Sequence, residues 1–182
     1  MNFWLIFAGY EAVWFAAVLG AGRGLAWPGV IAVVLFATWR LGVSRHRGLE
    51  FAIVGVALAL GVLFDAVLVW TGVAHYAAPW PSPFAPAWLT ALWAAFALTI
   101  VPLFGYLHKQ LALAAIFGAI GGPLAYLGAA HGWHAVALPA PAWHGLAALA
   151  VGWGAVMPLL CWLARQGLRR HAAVAAGSGS SA

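Results

Sequence analysis

The segment LEFAIVGVALALGVLFDAVLVWTGV, residues 49–73, decides the fold of this chain. It contains about 20 nearly uncharged residues in a row, which is the length that an α-helix needs to cross a bilayer. The one acid inside this apolar run is Asp65. A carboxylate near the middle of a membrane helix costs about 2.5 to 3.5 kcal/mol on insertion scales. We therefore expect Asp65 to be neutral, hydrogen-bonded to a donor, or facing a polar cavity.

The composition assigns the rest of the chain to the membrane as well. Of the 182 residues, 66% are hydrophobic and only 6% are charged, whereas a soluble domain has roughly 25% charged residues. The 12 tryptophans and 10 phenylalanines provide rings of the kind that lie at both membrane interfaces. The formal net charge of +5 comes mostly from basic residues in short turns and after the last apolar run. These residues indicate orientation signals, and no nucleic-acid partner is expected.

Apolar runs separated by glycine, proline and basic turns predict an all-α fold, a polytopic bundle of six transmembrane helices. The predicted spans are residues 2–19, 27–39, 49–73, 87–106, 110–130 and 143–164. We expect a single membrane domain over residues 1–171 and a flexible Ala/Gly/Ser tail over residues 172–182. In the fifth span, the run GAIGGP at residues 118–123 combines small residues with a proline. This pattern predicts a broken helix that approaches a neighbouring helix closely.

The basic residues predict the orientation of the bundle. With six spans, one side receives the turn at residues 40–47, Lys109 and the arginines between 165 and 170, whereas the other side receives Arg23 alone. The positive-inside rule then places both termini in the cytoplasm. The loops rich in tryptophan, histidine and proline lie together on the opposite, outer side.

Two acids are the candidates for catalytic residues. Counted at 1.5 Å per residue from the cytoplasmic side, Glu11 lies about 14 Å deep and Asp65 about 22 Å deep. An ionisable side chain inside the hydrocarbon is a functional-site hypothesis by default, and these two would act as general acid or base on a membrane-dissolved substrate. The alternative for Asp65 is a structural carboxyl that is hydrogen-bonded to Tyr126, to Trp93 or to a carbonyl freed by Pro123.

The other candidate residues would surround a ligand. A cavity between spans one, three, four and five would be lined by aromatic side chains and Asp65, with polar groups from the outer loops at its mouth. The predicted ligand-binding residues are Trp14, Trp70, Trp93, Tyr126, His75, His131 and Arg23. His131 and His134 are close in sequence, but no acid accompanies the histidines at metal-ligand spacing, so neither a metal nor a cofactor is predicted.

Several motifs, in order along residues 2–135, resemble one family. They are WFAAVLGA (14–21), WPG (27–29), LE (49–50), DAVLVWTG (65–72), WLTALWAAF (88–96) and GAIGGPLAY (118–126). With these motifs the chain resembles the bacterial inner-membrane domain-of-unknown-function family 2878. The resemblance implies a small multi-pass protein of the bacterial inner membrane. It also implies a connection with lipids, because genes of such proteins often lie near fatty-acid-modifying genes. Such sequences tend to have glutamine ahead of the first Trp-Phe pair where this chain has Glu11, which argues against a required charge there.

Three functions remain open at this point. The leading hypothesis is a protein that binds or modifies a lipid or small amphiphile in an intramembrane cavity around Asp65, with membrane lipids as its partners. One alternative is a small proton-coupled transporter, in which Asp65 and Glu11 exchange protons while a break at residues 118–123 rearranges. The other is a structural subunit whose small-residue faces dock a partner membrane protein or a second copy of the chain. Whether the chain is an enzyme is left open.

Overall fold

Six α-helices make up most of the computed structural model, which describes residues 2–82 and 84–179. They are α1 Phe3–Gly22, α2 Trp27–Val43, α3 Arg47–Trp70, α4 Ala87–Leu103, α5 Leu111–Trp133 and α6 Trp143–Gly179. Two short strands, β1 His75–Tyr76 and β2 Val136–Ala137, pair in antiparallel register and join the loop after α3 to the loop after α5. The prediction of an all-helical fold is confirmed.

Four of the described helices are long and apolar enough to cross a membrane, namely α1, α3, α5 and α6. The apolar helices α2 and α4 have 17 residues each. Such a helix is about 25 Å long at 1.5 Å per residue, whereas the hydrocarbon core of a bilayer is about 30 Å thick. Helix length and composition therefore indicate a membrane protein, and the count of six spans stays a prediction.

The helix ends follow from local sequence. The side chain of Asn2 accepts a hydrogen bond from the backbone N–H of Trp4 at 3.2 Å and caps α1. Pro28 lies in the first turn of α2, where its missing N–H costs no hydrogen bond. Gly24 connects the two helices with a φ of 78°, a conformation that glycine adopts without strain. The short connection makes α1 and α2 antiparallel neighbours.

The central element of the bundle is α4. It packs against α1, α2, α3 and α6, while α1 also pairs with α2 and α5 with α6. Most of α4 is buried, including the bulky side chains of Trp88 and Trp93. Buried side chains of α4 belong to both clusters of the hydrophobic core.

The prediction of a broken fifth helix is wrong, because α5 is continuous from Leu111 to Trp133 with Pro123 inside it. Gly118 and Gly122 lie directly against α6. A Cβ on Gly118 would overlap Trp153 and Met157, and a Cβ on Gly122 would overlap the Trp153 indole. The close approach predicted for these small residues is therefore confirmed. Neighbouring helices can support a helix through an internal proline, and the tight α5–α6 packing provides such support.

At the opposite end of the bundle from the strands, Arg40 and Glu50 form a buried ion pair. Arg40 Nη2 lies 2.8 Å from Glu50 Oε1, and the two side chains are only 2% exposed. This pair joins the last turn of α2 to the first turn of α3. In the turn after α4, Nε2 of His108 lies 2.9 Å from the carbonyl oxygen of Ile100. Burial lowers the pKa of His108, which favours its neutral form.

The last helix extends beyond the predicted sixth span. The backbone of α6 is helical through Gly179, so the helix includes residues 172–179 of the segment that was predicted to be a flexible tail. The sequence HAAVAA at residues 171–176 is rich in alanine, the residue with the highest helix propensity. The last part of the predicted tail, residues 180–182, lies outside the described residues.

Candidate functional site

Asp65 is completely buried near the end of α3 and accepts three hydrogen bonds. The hydroxyls of Tyr76 and Tyr126 each donate to Oδ1 at 2.8 Å, and Nε1 of Trp93 donates to Oδ2 at 2.7 Å. The exposed fraction of Asp65 is 0%. Hydrogen bonds to the charged form of a carboxylate stabilise that form. Two of the partners that the sequence suggested, Trp93 and Tyr126, are confirmed.

Tyr76 is the partner that sequence reasoning missed. It lies in β1, where it pairs with Val136 of β2, and the backbone N–H of Ala77 donates to the carbonyl of Ala135 at 2.9 Å. Burial and the neighbouring Asp65 carboxylate raise the pKa of Tyr76 well above its usual range, so the hydroxyl stays protonated and can donate. Tyr76 follows Asp65 by 11 positions and lies outside the helices. Helical spacing cannot reveal such a contact.

Two stacked indoles lie next to Asp65. The rings of Trp93 on α4 and Trp153 on α6 are parallel, with centroids 4.4 Å apart and an interplanar angle of 5°. A Cβ on Gly61 of α3 would overlap the Trp93 indole, and a Cβ on Gly122 of α5 would overlap the Trp153 indole. The two glycines thus make room for the two rings at the point where four helices meet. Because Asp65 holds Nε1 of Trp93, it fixes the orientation of this stack.

A cavity of about 280 Å³ lies between α1, α4, α5 and α6. Its wall is aromatic and mostly apolar, and the rings of the wall touch one another. The centroids of Tyr10 and Phe96 are 6.1 Å apart, and those of Phe96 and Trp153 are 5.1 Å apart. Trp93 and Tyr126 also line the cavity. Two of the three donors to Asp65 are therefore parts of the cavity wall.

Glu11 is the one charged residue among the described residues that line this cavity. It is partly buried, and it shares a face of α1 with Phe7 and Trp14 through i, i+3 and i+4 spacing. Phe7 and Trp14 line the cavity as well. No basic side chain in the described ranges forms an ion pair with Glu11. The wall thus has a carboxylate with no counter-ion among the residues that the structure describes.

The structure brings together some of the predicted site residues and separates others. Those that line the cavity are Glu11, Trp14, Trp93 and Tyr126. Asp65 lies behind the wall, and α6 occupies the place in the wall that was predicted for α3. Trp70, His75, His131 and Arg23 are exposed and lie outside the cavity. Over residues 2–82 and 84–179, no three His, Cys, Asp or Glu side chains come together in a way that could hold a metal ion.

Comparison with known proteins identifies the family of the chain. The chain belongs to the family described as "Protein of unknown function (DUF2878)", which matches residues 3–159. This match confirms that the ordered motifs belong to family 2878. All residues that line the cavity fall inside the matched region. No curated protein and no solved structure matches the chain.

Proposed function

We propose that this member of the DUF2878 family binds or modifies a lipid or another small amphiphile in the cavity between α1, α4, α5 and α6. The observation that supports this function is the cavity itself, an aromatic and mostly apolar space with Glu11 on its wall. Small-molecule sites are typically apolar pockets with a few well-placed polar groups. Since hydrocarbon surrounds a membrane-embedded bundle, lipids and amphiphiles are the molecules with the most direct access.

The size of the cavity narrows the class of ligand. Its volume of about 280 Å³ is near the lower limit of the range of about 300 to 1,000 Å³ that is usual for ligand pockets. A space of this size can hold the polar group of one amphiphile and part of its alkyl chain. It is too small to enclose a lipid with two acyl chains. The proposed ligand is therefore a single-chain amphiphile.

In this proposal the two acids have different roles. Glu11 faces the ligand and is the candidate general acid or base for any reaction in the cavity. Asp65 is a positioning residue, because its carboxylate holds Trp93 and Tyr126, which form part of the wall. A change at Asp65 should therefore alter ligand binding through the wall and not through a direct contact.

We further propose that all six helices lie in the bacterial inner membrane, with both termini in the cytoplasm. On α2, the apolar side chains of Ile31, Val34 and Leu35 are more than half exposed, as expected for a surface in contact with lipid. The short helix α4 lies among α1, α2, α3 and α6, which supports its placement within the membrane. The basic residues at one end of the bundle, opposite Arg23, support this orientation.

A variant that fills the cavity tests the proposed function. Gly121 lines the cavity, and a Cβ at this position meets only Phe117, at 3.9 Å. Gly121→Leu therefore places a side chain in the ligand space without an initial clash. Gly55 on α3 is the matched control, because it is an exposed helical glycine outside the cavity whose Cβ position has no atom within 4 Å.

The binding probe is a brominated single-chain amphiphile, prepared with a hydroxyl or with a trimethylammonium group, whose bromine quenches tryptophan fluorescence. We expect wild type and Gly55→Leu to bind at least one form saturably in detergent micelles. Gly121→Leu should lower that affinity about tenfold, which corresponds to about 1.4 kcal/mol. Equal binding by all three proteins would contradict the proposed site. Proton-gradient-dependent uptake of the probe into liposomes would support a transporter instead.

A further inference from the structure

The composition of the cavity wall points to the charge of the ligand. We propose that the ligand carries a cationic group, an amine or a quaternary ammonium, on its single alkyl chain. This inference rests on the proposed function and adds the chemical class of the polar group. The wall contains a carboxylate and several aromatic side chains, and none of the described residues that line it is Lys, Arg or His. Carboxylates and aromatic faces both attract cations.

The position of Glu11 provides the first argument. Glu11 lies near the middle of α1, within a helix of membrane-spanning length, where a charged side chain is costly to insert. Asp65 has three hydrogen-bond donors, whereas no hydrogen bond or ion pair joins Glu11 to another side chain of the described ranges. A cationic group in the cavity provides a counter-ion for Glu11 at a place where the described residues offer none.

The arrangement of the rings provides the second argument. Phe7 and Trp14 lie on the same face of α1 as Glu11, within one helical turn of it. Across the cavity, Phe96 meets the Trp153 indole nearly edge-on, at an interplanar angle of 86°. The aromatic rings of the wall thus lie in more than one orientation around the ligand space. Aromatic faces placed on several sides of a cavity bind quaternary ammonium groups through cation–π attraction.

The same wall disfavours an anion. A fatty acid or a lipid phosphate would bring a second negative charge into an apolar space that already contains Glu11. Like charges at short distance in such surroundings destabilise each other strongly. None of the described residues on the wall is basic, so no side chain among them compensates this repulsion. A neutral alcohol avoids the repulsion but leaves Glu11 without a counter-ion.

The test compares three brominated amphiphiles that share one alkyl chain and carry a trimethylammonium, a hydroxyl or a carboxylate group. We expect wild type to bind the ammonium form about tenfold more tightly than the other two. Glu11→Gln has nearly the same shape and should abolish this preference, whereas Glu11→Asp keeps the charge and should retain the preference. Gly55→Leu, which lies outside the cavity, should retain both the wild-type affinities and the preference for the ammonium form, so that a loss in Glu11→Gln is assigned to the cavity.

The inference and the proposed function fail in different ways. A cationic preference that persists in Glu11→Gln, or a wild type that prefers the carboxylate, overturns the inference. If Gly121→Leu at the same time weakens the binding of every form, the proposed site stands and only the assigned charge is wrong. If Gly121→Leu changes none of the affinities, the proposed function itself is overturned.

Discussion

Asp65 is stabilised in the interior of the bundle without a basic partner among the residues that donate to it. Its three donors come from different segments, Tyr76 from β1, Trp93 from α4 and Tyr126 from α5. A hydrogen bond to a charged group contributes about 1.5 to 3 kcal/mol. The stabilisation from three such bonds exceeds the cost of about 2.5 to 3.5 kcal/mol for inserting an acid at a helix centre. Asp65 therefore connects two helices and a loop to α3.

Removing one donor should show how much this network contributes to stability. Tyr76→Phe deletes the hydroxyl and leaves the ring, so we expect the free energy of unfolding to fall by about 1.5 to 3 kcal/mol. Tyr106→Phe is the matched control, because Tyr106 is 67% exposed in a turn and should change stability by less than about 0.5 kcal/mol. The free energies of unfolding of both variants are measured in mixed detergent micelles by titration with a denaturing detergent. Equal effects would show that the Tyr76 hydroxyl does not stabilise the fold.

Single residues also show what a sequence can reveal about a site. Asp65 was identified because an acid within an apolar run requires compensation, and Trp93 and Tyr126 were candidate partners on other spans. The helical spacing of residues 11 and 14 puts Glu11 and Trp14 on one face of α1, and both line the cavity. Trp153 was missed, because its stacking on Trp93 depends on how α6 is rotated against α4. Such a rotation is set by packing between helices, which no local pattern encodes.

Between helices, glycines determine how closely the aromatic side chains can pack. Gly61 on α3 lies against the Trp93 indole, and Gly122 on α5 lies against the Trp153 indole of the stacked pair. Parallel indoles whose centroids are 4.4 Å apart need space on their outer faces. A β-carbon on either side would force the rings or the helices to move. The spacing of four helices therefore depends on the absence of two methyl groups.

The same glycine-to-alanine change should have opposite effects at two positions on α3. At Gly55, where a Cβ meets nothing within 4 Å, alanine should stabilise the protein by up to about 1 kcal/mol through its higher helix propensity. At Gly61, where a Cβ overlaps the Trp93 indole, overpacking should destabilise it by about 1 to 3 kcal/mol. The detergent unfolding titration measures both variants. Stabilisation by both would contradict the tight contact at Gly61.

The helices themselves were predictable, and their ends were less so. Apolar runs identified six helices, but the second span was expected to end at residue 39 and α2 continues to Val43. Hydropathy marks the apolar middle of a helix, whereas backbone hydrogen bonds continue through charged residues such as Arg40. The break predicted at residues 118–123 failed for a related reason. A local pattern of glycine and proline does not include the support that α6 gives to α5.

For the whole molecule, the cavity could not be located from sequence, because its walls come from distant parts of the chain. Residues of α1, α4, α5 and α6 line it, and which helices are neighbours depends on the packing of the complete bundle. The sequence predicted an aromatic cavity near Asp65, and the structure places Trp93 and Tyr126 between that acid and the cavity. A change at Asp65 can thus reach the ligand space through residues that contact both.

The placement of all six helices in the membrane can be tested by labelling single cysteines. The native Cys161 is buried and should react little, so cysteines introduced elsewhere report their own location. The exposed residues Ser82 and Gln110 come before and after α4 in the chain, and α4 is one of the two short helices. If α4 crosses the membrane, a membrane-impermeant maleimide should label Ser82→Cys in intact cells and Gln110→Cys only after permeabilisation.

Ser44→Cys extends this labelling test to α3, because Ser44 comes before that helix in the chain and Ser82 comes after it. With both termini in the cytoplasm, Ser44→Cys should be protected in intact cells in the same way as Gln110→Cys. Labelling of Ser82→Cys and Gln110→Cys from the same side would remove α4 from the set of spans and reduce their number to five or fewer. Protection of Ser82→Cys together with exposure of the other two would instead invert the bundle. In that case the excess of basic residues in its turns would not determine its orientation.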